Sequence, residues 1–328
     1  MVFPTDPQWQ RDLDYVRKYH EEAANEVRYR SWGTEELLIR CIRKNMPWIR
    51  DIIIVLARES QVQGWMKSLP LTPSHWRENS AGETAGHKEP RVRVVFHKEF
   101  IPEEQLPTFN SRAIEMYLHR IPGLSDYFIY GNDDMFPIGA LKEEEFFRVA
   151  MTSQQTGPCG PCVEAQGTVA ASGTGAEMVP CLEWKMMPCN RASSFHQACM
   201  NGINFVGREF GRHYTTEWMH LGHNIIPMKK ATCERFWQQH EKEMAESVTR
   251  FRLAKNFNQY IYSWWQIMAG EYVEYSAPHR YVSTKSDINE IVTAIREAEG
   301  LLCINDNEGI SDITNLAAIV RNEIAKRL

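Results

Sequence analysis

The stretch Tyr127-Phe-Ile-Tyr-Gly-Asn-Asp-Asp134 is the most informative feature of the sequence, because an apolar run ends abruptly in three polar residues. A short aromatic and β-branched run of this kind predicts a buried strand. Ligands of open α/β sheets bind beyond the carboxyl ends of the strands, so the polar triplet marks the expected crevice. Leu301-Leu-Cys-Ile304, followed by Asn305-Asp-Asn307, repeats the pattern. Because neighbouring parallel strands end at the same edge of a sheet, we expect the two polar ends to share one site.

Helix and strand signals alternate on either side of this stretch, from residue 34 to residue 146. Thr34 precedes two glutamates and an apolar face at helical spacing, which predicts a helix that ends before Pro47. Residues 52–56 and 93–96 read as β-branched strands, and Ser111 begins a second helix. Strands separated by helices predict an α/β fold with a mostly parallel sheet.

The chain divides into three expected parts. Residues 1–145 form an α/β half, residues 146–212 a loop-rich insertion with a cysteine cluster, and residues 213–328 a helical half with the last strand and a C-terminal helix. The insertion is predicted because residues 150–192 are rich in Gly, Ser and Thr and show little periodicity. In the last part we expect a long charged helix over about 231–254 and an aromatic-rich helix over 257–269.

The composition excludes several classes of protein. The 328 residues are 43% hydrophobic and 24% charged, with a formal net charge of −5, which argues against a disordered chain and against a nucleic-acid partner. No apolar run approaches the roughly 20 residues of a membrane span. The N-terminus also lacks the basic and apolar segments of a signal peptide. These features predict a cytoplasmic protein with at most a peripheral membrane association.

Four cysteines, Cys159, Cys162, Cys181 and Cys189, cluster in the predicted insertion. Their spacing resembles a zinc ribbon only in part, so a structural Zn²⁺ site competes with a flexible thiol-bearing loop or a disulfide. The flexible thiol-bearing loop or disulfide is favoured over the zinc site. Cys41 and Cys303 lie in apolar stretches and read as buried small residues.

Three kinds of residue could carry chemistry. The Asn-Asp-Asp triplet either binds a hard cation such as Mg²⁺ or forms a turn after the strand. Arg28, Arg30, Arg250 and Arg252 suit bidentate phosphate contacts, although a solvated helix face is the favoured interpretation of the last two. His223 suits a general base only if the fold brings it near the acidic pair, and a lone histidine is more often structural.

Several segments together resemble the Stealth family, which comprises bacterial capsule sugar-1-phosphate transferases and the animal lysosomal-enzyme GlcNAc-1-phosphotransferase. Four blocks characterise that family, and they follow one another here in the family's order. The first block is represented by Thr5-Asp-Pro-Gln-Trp9. The second block is represented by five segments: Arg28-Tyr-Arg-Ser-Trp-Gly33, Pro47-Trp-Ile-Arg50, Leu106-Pro-Thr-Phe-Asn-Ser-Arg-Ala-Ile-Glu115, Leu118-His-Arg-Ile-Pro-Gly-Leu-Ser125 and Phe128-Ile-Tyr-Gly-Asn-Asp-Asp-Met-Phe136. The third block is represented by His223-Asn-Ile-Ile-Pro-Met228 with Arg250-Phe-Arg252, and the fourth by Cys303-Ile-Asn-Asp-Asn307. The acidic residue that usually follows the third-block arginines is Asn256 here. The resemblance covers most of the chain but not residues 146–212.

The resemblance implies that a sugar-1-phosphate passes from a UDP-sugar to a hydroxyl of an acceptor glycan, with release of UMP and a requirement for Mg²⁺ or Mn²⁺. It also implies an α/β core similar to the GT-A-like nucleotide-sugar transferases. On the matching positions, His223 is the expected base, and Asp133 and Arg252 are the other expected catalytic residues. The expected substrate-binding residues are Asp6, Arg28, Arg30, Ser111, Asn132 and Arg250, and the expected metal ligands are Asp134, Asp306 and Asn307.

Two other functions fit part of this pattern. A glycosyltransferase also uses a nucleotide sugar and a metal at a strand end, but it releases a nucleoside diphosphate, so the identity of the released nucleotide distinguishes the two reactions. A non-catalytic glycan-binding protein is the second alternative. The intact set of acidic, imidazole and guanidinium groups weighs against it, because a binding protein needs no base.

Overall fold

The computed structural model describes residues 3, 5–19, 25–68, 90–151, 176–310 and 312–328, and every structural statement below refers to this part of the chain. Its helices are α1 Pro7–Tyr19, α2 Glu35–Asn45, α3 Ser111–Tyr117, α4 Ser194–Gly207, α5 Lys230–Gln239, α6 Glu241–Ser247, α7 Tyr260–Ala269, α8 Ile288–Glu297 and α9 Ile313–Arg327. Its strands are β1 Asp51–Leu56, β2 Arg91–Phe96, β3 Tyr127–Tyr130, β4 Met135–Pro137, β5 Phe147–Met151, β6 Ala176–Leu182, β7 Lys185–Pro188, β8 Glu217–His220, β9 Ile226–Lys229, β10 Val273–Glu274, β11 His279–Ser283 and β12 Leu301–Asn305. Short 3₁₀ helices connect several of them.

The expected α/β class is confirmed, but the expected mostly parallel sheet is not. The strands form small sheets in which β1–β2, β6–β10 and β11–β12 are parallel, whereas β3–β9, β4–β12, β5–β6 and β7–β8 are antiparallel. One of the antiparallel pairings involves β4, a strand of three residues that is too short to show a period in the sequence. It pairs antiparallel with β12, so β3 and β12 are not the parallel neighbours that we expected.

The elements around this pairing form for local reasons. Helix α2 begins after Thr34 and has Glu35 and Glu36 in its first turn, where acidic side chains favour the helix dipole. Strand β12 is buried along nearly its whole length, as its apolar sequence predicts. Together α2, α8, α9, β4 and β12 enclose one apolar core, which fixes the position of the two strands.

The C-terminal half differs from expectation in one respect. The expected long helix over about 231–254 is two short helices, α5 and α6, which meet at His240. The backbone of His240 has φ −131° and ψ 35°, outside the helical region, so the helix cannot continue through it. Residues 248–259 then form an irregular segment that carries both Arg250 and Arg252.

The described residues of the predicted insertion contain regular structure, namely β5, β6, β7 and α4. Helix α4 packs against α7 at Gly202, where a Cβ would lie 2.8 Å from the Trp264 ring. This contact belongs to the largest apolar core, which also includes α3 and α5. Two buried polar groups of that core share one acceptor, because Trp237 Nε1 and the Tyr262 hydroxyl both donate to the Met116 carbonyl. Helices of a length and apolarity sufficient to cross a bilayer are absent from the described residues.

Replacing Gly139 with alanine tests the contact that holds β4 on β12. The amides of Ile138 and Gly139 donate to the Gly300 carbonyl, and a Cβ on Gly139 would lie 1.7 Å from the Glu299 carbonyl oxygen. Because the clashing Glu299 oxygen is a backbone atom, the strands must separate. We therefore expect Gly139→Ala to lower the free energy of unfolding by about 3 kcal/mol. Chemical denaturation followed by far-UV circular dichroism measures it. The control is Gly64→Ala, since a Cβ there meets nothing within 4 Å. Equal stability of the two variants would contradict this account of the packing.

Candidate active site

Two antiparallel pairings bring the polar strand ends and His223 together. Strand β3 pairs with β9 so that Tyr130 lies opposite Ile226, and the residues after β3 therefore lie beside the residues before β9. The approach is close, because a Cβ on Gly131 would lie 3.2 Å from Ile225 Cγ1. The loop that carries His223 is anchored from α7, where the Tyr260 hydroxyl donates to the Gly222 carbonyl at 2.9 Å.

The carboxyl end of β12 reaches the same place from the other side. Cys303 pairs with Met135, and the Ile304 amide donates to the Asp134 carbonyl at 3.0 Å. The polar residues that follow β3 and β12 are therefore neighbours, as we expected. They meet because β4 runs antiparallel to β12, and not because β3 and β12 are parallel.

Asp134, His223 and Cys303 form what we call the Asp134 corner. The Asp134 Oδ2 atom lies 3.2 Å from His223 Nε2 and 3.7 Å from Cys303 Sγ. One donor atom from each of the three residues lies within 4.8 Å of the others, so the group could hold a metal ion. The Asp134 Oδ1 atom is buried and has no hydrogen-bond partner in the described part of the chain. An orphaned buried oxygen of this kind is one that a cation would satisfy.

The Asp134 carboxylate makes His223 a stronger base. Burial opposes protonation of the ring, but the hydrogen bond and charge of Asp134, with the charge of Glu115, outweigh burial and raise the pKa of His223 above its ordinary value. With Asp134 as the acceptor, Nε2 carries the proton and Nδ1 keeps its lone pair. Nδ1 has no hydrogen-bond partner among the described residues. The carboxylate therefore orients the ring and leaves one nitrogen able to accept a proton.

Asp133 adds negative charge beside the corner. Its burial, together with the charges of Asp134 and Glu35, raises the pKa of the Asp133 carboxyl. Carboxylates that repel each other in this way are stabilised by a cation. Tyr130 lies between this group and α3, with its hydroxyl 3.0 Å from Glu115 Oε1 and 2.5 Å from Asn132 Oδ1.

The corner opens into a cavity of about 820 Å³, a volume within the range of small-molecule binding sites. Nine of the twelve residues expected from the sequence line it. They are Arg28, Arg30, Ser111, Asn132, Asp133, Asp134, His223, Arg252 and Asp306. The fold thus gathers into one cavity residues that are far apart in the sequence.

Guanidinium groups crowd the wall of the cavity near α3. Arg252 Nη2 donates to the Ser111 hydroxyl, and its buried Nε has no partner among the described residues. Burial and the neighbouring charge of Arg28 lower the pKa of Arg252, while Glu115 acts in the opposite direction. Burial and the charge of Arg252 lower the pKa of Arg112 to about 10. Positive charges that repel one another inside a cavity favour the binding of an anion.

Three expected site residues do not line the cavity. Asp6 is buried, accepts hydrogen bonds from Gln8, Ser60 and Gln61, and lies just before the start of α1. Arg250 is exposed and donates to the Glu104 carbonyl. The Asn307 side chain donates to the Ser283 hydroxyl and to the Asn305 carbonyl.

Asp306 lines the cavity, but its carboxylate is already engaged. Both oxygens accept from Arg30, at 3.0 and 2.7 Å, and Oδ2 also accepts from Trp32 Nε1 at 3.1 Å. A bidentate pair of this geometry is strong and orients both side chains. Asp306 and Arg30 therefore have each other as partners in this structure, and their expected roles toward a metal and a phosphate stay predictions.

Two of the four cysteines of the zinc prediction, Cys159 and Cys162, lie outside the described residues. Cys181 is buried in β6, and Cys189 follows β7. Neither belongs to a cluster of metal-ligating side chains within the described chain.

Sequence reasoning missed several residues of the site. Cys303 reads as a buried apolar residue, and only its position directly before a polar triplet connects it to the crevice. Tyr281, on β11, gives no sequence signal. Its ring lies 6.4 Å from the His223 ring, and 52% of its surface is exposed. Glu115 could have been suspected, because it is a charged residue inside a helix whose other positions are mostly buried.

This cavity defines a class of site: an arginine-lined pocket of an α/β protein with a carboxylate–imidazole pair at one end. Comparison with known proteins narrows the class. Residues 81–155 match the family model described as Stealth protein CR2, conserved region 2.

Several curated proteins are also similar to the chain. A capsular polysaccharide phosphotransferase of Haemophilus influenzae is 27% identical over 77% of this chain and 59% of its own length. Another from Actinobacillus suis is 26% identical over 95% of this chain and 76% of its own length. An exopolysaccharide phosphotransferase of Streptomyces coelicolor is 38% identical over 43% of this chain and 21% of its own length. The chain is therefore similar to the Stealth family and to these phosphotransferases, and it spans about three fifths of the length of the Haemophilus relative.

Replacing Asn256 with alanine tests how the segment that carries Arg252 is held. Asn256 is fully buried; its Oδ1 accepts from Asn110 Nδ2 and the Leu253 amide, and its Nδ2 donates to the Ser247 carbonyl. Because Asn256→Ala takes this partner from the Leu253 amide and the Ser247 carbonyl, while Asn110 keeps its bonds to the Thr249 and Phe251 carbonyls, we expect the free energy of unfolding to fall by about 2–3 kcal/mol. Urea denaturation is the measurement.

The matched control for Asn256 is Asn201→Ala. Asn201 also donates to a carbonyl of this segment, that of Ala254, but it is exposed. Water can replace its hydrogen bond, so we expect a change within about 0.5 kcal/mol. A larger loss in the Asn201 variant than in the Asn256 variant would show that burial of the network does not hold the segment.

Proposed function

We propose that the protein transfers a sugar-1-phosphate from a UDP-sugar to a hydroxyl of an acceptor glycan, which forms a phosphodiester and releases UMP. The observation that carries the proposal is that two kinds of chemical group lie in one cavity. Guanidinium groups that favour a phosphate anion line one wall, and a carboxylate-oriented imidazole lies at one end. The names of the relatives support the same reaction class. We also propose that the core is arranged as in the GT-A-like nucleotide-sugar transferases.

The diphosphate of the donor would bind at the arginine wall. Arg252 lines the cavity with an unpartnered buried Nε, and Arg28 lies close enough for its charge to lower the pKa of Arg252. A phosphate between the two groups would remove their repulsion and supply the missing hydrogen-bond acceptor. Ser111, held by Arg252, would lie beside the same phosphate.

His223 would remove the proton of the acceptor hydroxyl. As Nδ1 accepts the proton, the acceptor oxygen forms a bond to the phosphorus that carries the sugar. The bond from that phosphorus to the bridging oxygen breaks, and UMP leaves with the electron pair. Asp134 holds the ring in position and stabilises the imidazolium that forms. Tyr281, half-exposed beside the His223 ring, lies where an acceptor sugar would approach.

The oxygen atoms beside the corner fit a divalent cation such as Mg²⁺ or Mn²⁺. Asp134 Oδ1 lacks a partner among the described residues, and Asp133 carries a carboxyl whose ionisation is opposed by its neighbours. Asp134, with Asp133 and Asn132 beside it, would hold the ion. When bound, it would neutralise charge on the donor diphosphate.

Measurement of the released nucleotide tests the proposal. We expect UMP when the purified protein is incubated with Mg²⁺, a panel of UDP-sugars (UDP-N-acetylglucosamine, UDP-glucose and UDP-galactose) and methyl glycosides as acceptors. His223→Gln removes the proton acceptor and should lower the rate by about 10²–10⁴-fold. Chromatography of the nucleotides measures both results. Release of UDP would instead establish the glycosyltransferase alternative, and unchanged activity of the His223 variant would remove the imidazole from the mechanism.

The two arginines of the third block are predicted to behave differently. Arg252→Ala removes a charge-assisted contact worth about 1.5–3 kcal/mol, so we expect kcat/KM for the UDP-sugar to fall by about 10- to 100-fold. Arg250→Ala is the matched control, because that side chain is exposed, donates to the Glu104 carbonyl and is not among the described residues that line the cavity. We expect its kcat/KM to stay within about twofold. A greater loss in the Arg250 variant would place the donor phosphate elsewhere.

A further inference from the structure

The Asp134 corner contains a sulfur atom that the proposed reaction does not use. Hard cations such as Mg²⁺ take oxygen ligands, whereas Zn²⁺ and Co²⁺ bind thiolate and imidazole readily. The corner offers one carboxylate oxygen, one imidazole nitrogen and one thiol. This donor set matches a thiophilic ion better than it matches magnesium.

The two distances from Asp134 are close to those around a tetrahedral ion, and all three donor atoms lie within 4.8 Å of one another. With Zn–S of about 2.3 Å and Zn–N and Zn–O of about 2.0–2.1 Å, the donor atoms lie about 3.3–3.6 Å apart. In the structure, His223 Nε2 lies 3.2 Å and Cys303 Sγ 3.7 Å from Asp134 Oδ2. The backbone beneath them is fixed, because Ile304 donates to the Asp134 carbonyl. Asp134 and His223 line the cavity, so a fourth ligand could enter from that side.

We propose that Asp134, His223 and Cys303 form a binding site for Zn²⁺ or a similar thiophilic divalent ion, and that the bound ion inhibits the transferase. The metal–sulfur bond forms as the Cys303 thiol releases its proton to solvent, with no change of oxidation state.

Inhibition follows from the tautomer of His223. Zinc takes the lone pair of Nε2, so the ring proton must lie on Nδ1. Nδ1 is the nitrogen that would accept the proton of the acceptor hydroxyl, and the metal-bound ring can no longer do so. The Asp134 carboxylate is drawn to zinc at the same time. This inhibitory effect rests on the proposed function, whereas metal binding itself does not.

Cobalt spectroscopy tests the site directly, because a Co²⁺–thiolate bond gives a charge-transfer band that Mg²⁺ cannot give. We expect the purified full-length chain to bind Co²⁺ with this band and to lose the band when Zn²⁺ is added. Cys303→Ser should abolish the band. His223→Gln, which keeps the thiol, should weaken Co²⁺ binding at least tenfold.

The control must exclude the other thiols. Cys159 and Cys162 are separated by two residues in the sequence, and a Cys159→Ser, Cys162→Ser double variant should keep the band of the wild-type protein. A band that survives Cys303→Ser, or one that disappears in the double variant, overturns the site. Absence of any band in the wild-type protein overturns it as well. Thermal melting by circular dichroism confirms that each variant is folded.

Inhibition is measured as UMP release at a constant Mg²⁺ concentration with increasing Zn²⁺. We expect half-inhibition of the Cys303→Ser variant to need at least tenfold more Zn²⁺ than half-inhibition of the wild-type protein. Equal sensitivity of the two would overturn the inhibitory role. If the wild-type protein releases no UMP, the proposed function fails, while the cobalt spectra still decide whether the metal site exists.

Discussion

The hydrogen bond from the Ile304 amide to the Asp134 carbonyl is the contact on which the site depends. It extends the antiparallel pairing of β4 and β12 by one residue, and it places the carboxyl end of β12 against the polar residues that follow β3. Strand β12 is buried between helices, so the pairing is protected from water and rigid. The Asp134 side chain is thereby held where His223 and Cys303 reach it.

Charge is divided between two regions of the cavity. Carboxylates that oppose each other's ionisation surround the corner, whereas guanidinium groups that oppose one another lie near α3. Glu115 lies between the two regions, and burial raises the pKa of its carboxyl. The charge of Arg252, the hydrogen bond from the Tyr130 hydroxyl and the charge of His223 lower that pKa and so oppose the effect of burial. Within the described residues, each region keeps groups of like charge that repel one another. The proposed donor diphosphate, with its divalent cation, would supply charges of both signs, so it suits this cavity better than a neutral sugar does.

The sequence predicts the individual strands and helices of this protein better than it predicts which strands pair with one another. Strands β1, β2, β3 and β12 and helix α2 have clear local periods, and the structure contains all of them. Strand β4 has three residues, so it shows no period in the sequence, yet its pairing with β12 determines which strands are neighbours at the site. The partner of a strand depends on contacts distant in sequence, which is why the parallel sheet was predicted wrongly.

The site residues were predicted from the resemblance more than from spacing. Nothing in the local sequence of His223 places it beside Asp134, because 89 positions separate them. Three-dimensional pairing was also needed to show that Asp306 is held by Arg30 and that Arg250 turns away from the cavity. Tyr281 and Cys303 lie at the site because of the register of β11 on β12, which opposes them directly. A register is a property of the folded sheet and leaves no signature in either strand alone.

The two oxygens of Asp134 have different surroundings, and this difference links the parts of the proposed reaction. Oδ2 faces the imidazole and the thiol, while Oδ1 is buried without a partner in the described chain. One carboxylate can therefore orient the base through Oδ2 and attract a cation through Oδ1. A cation at Oδ1 would withdraw negative charge from Oδ2 and so weaken the effect of Asp134 on the imidazole. The basicity of His223 would then depend on whether the proposed donor and its cation are bound in the cavity. The acceptor proton and the donor charge are in this way coupled through a single side chain.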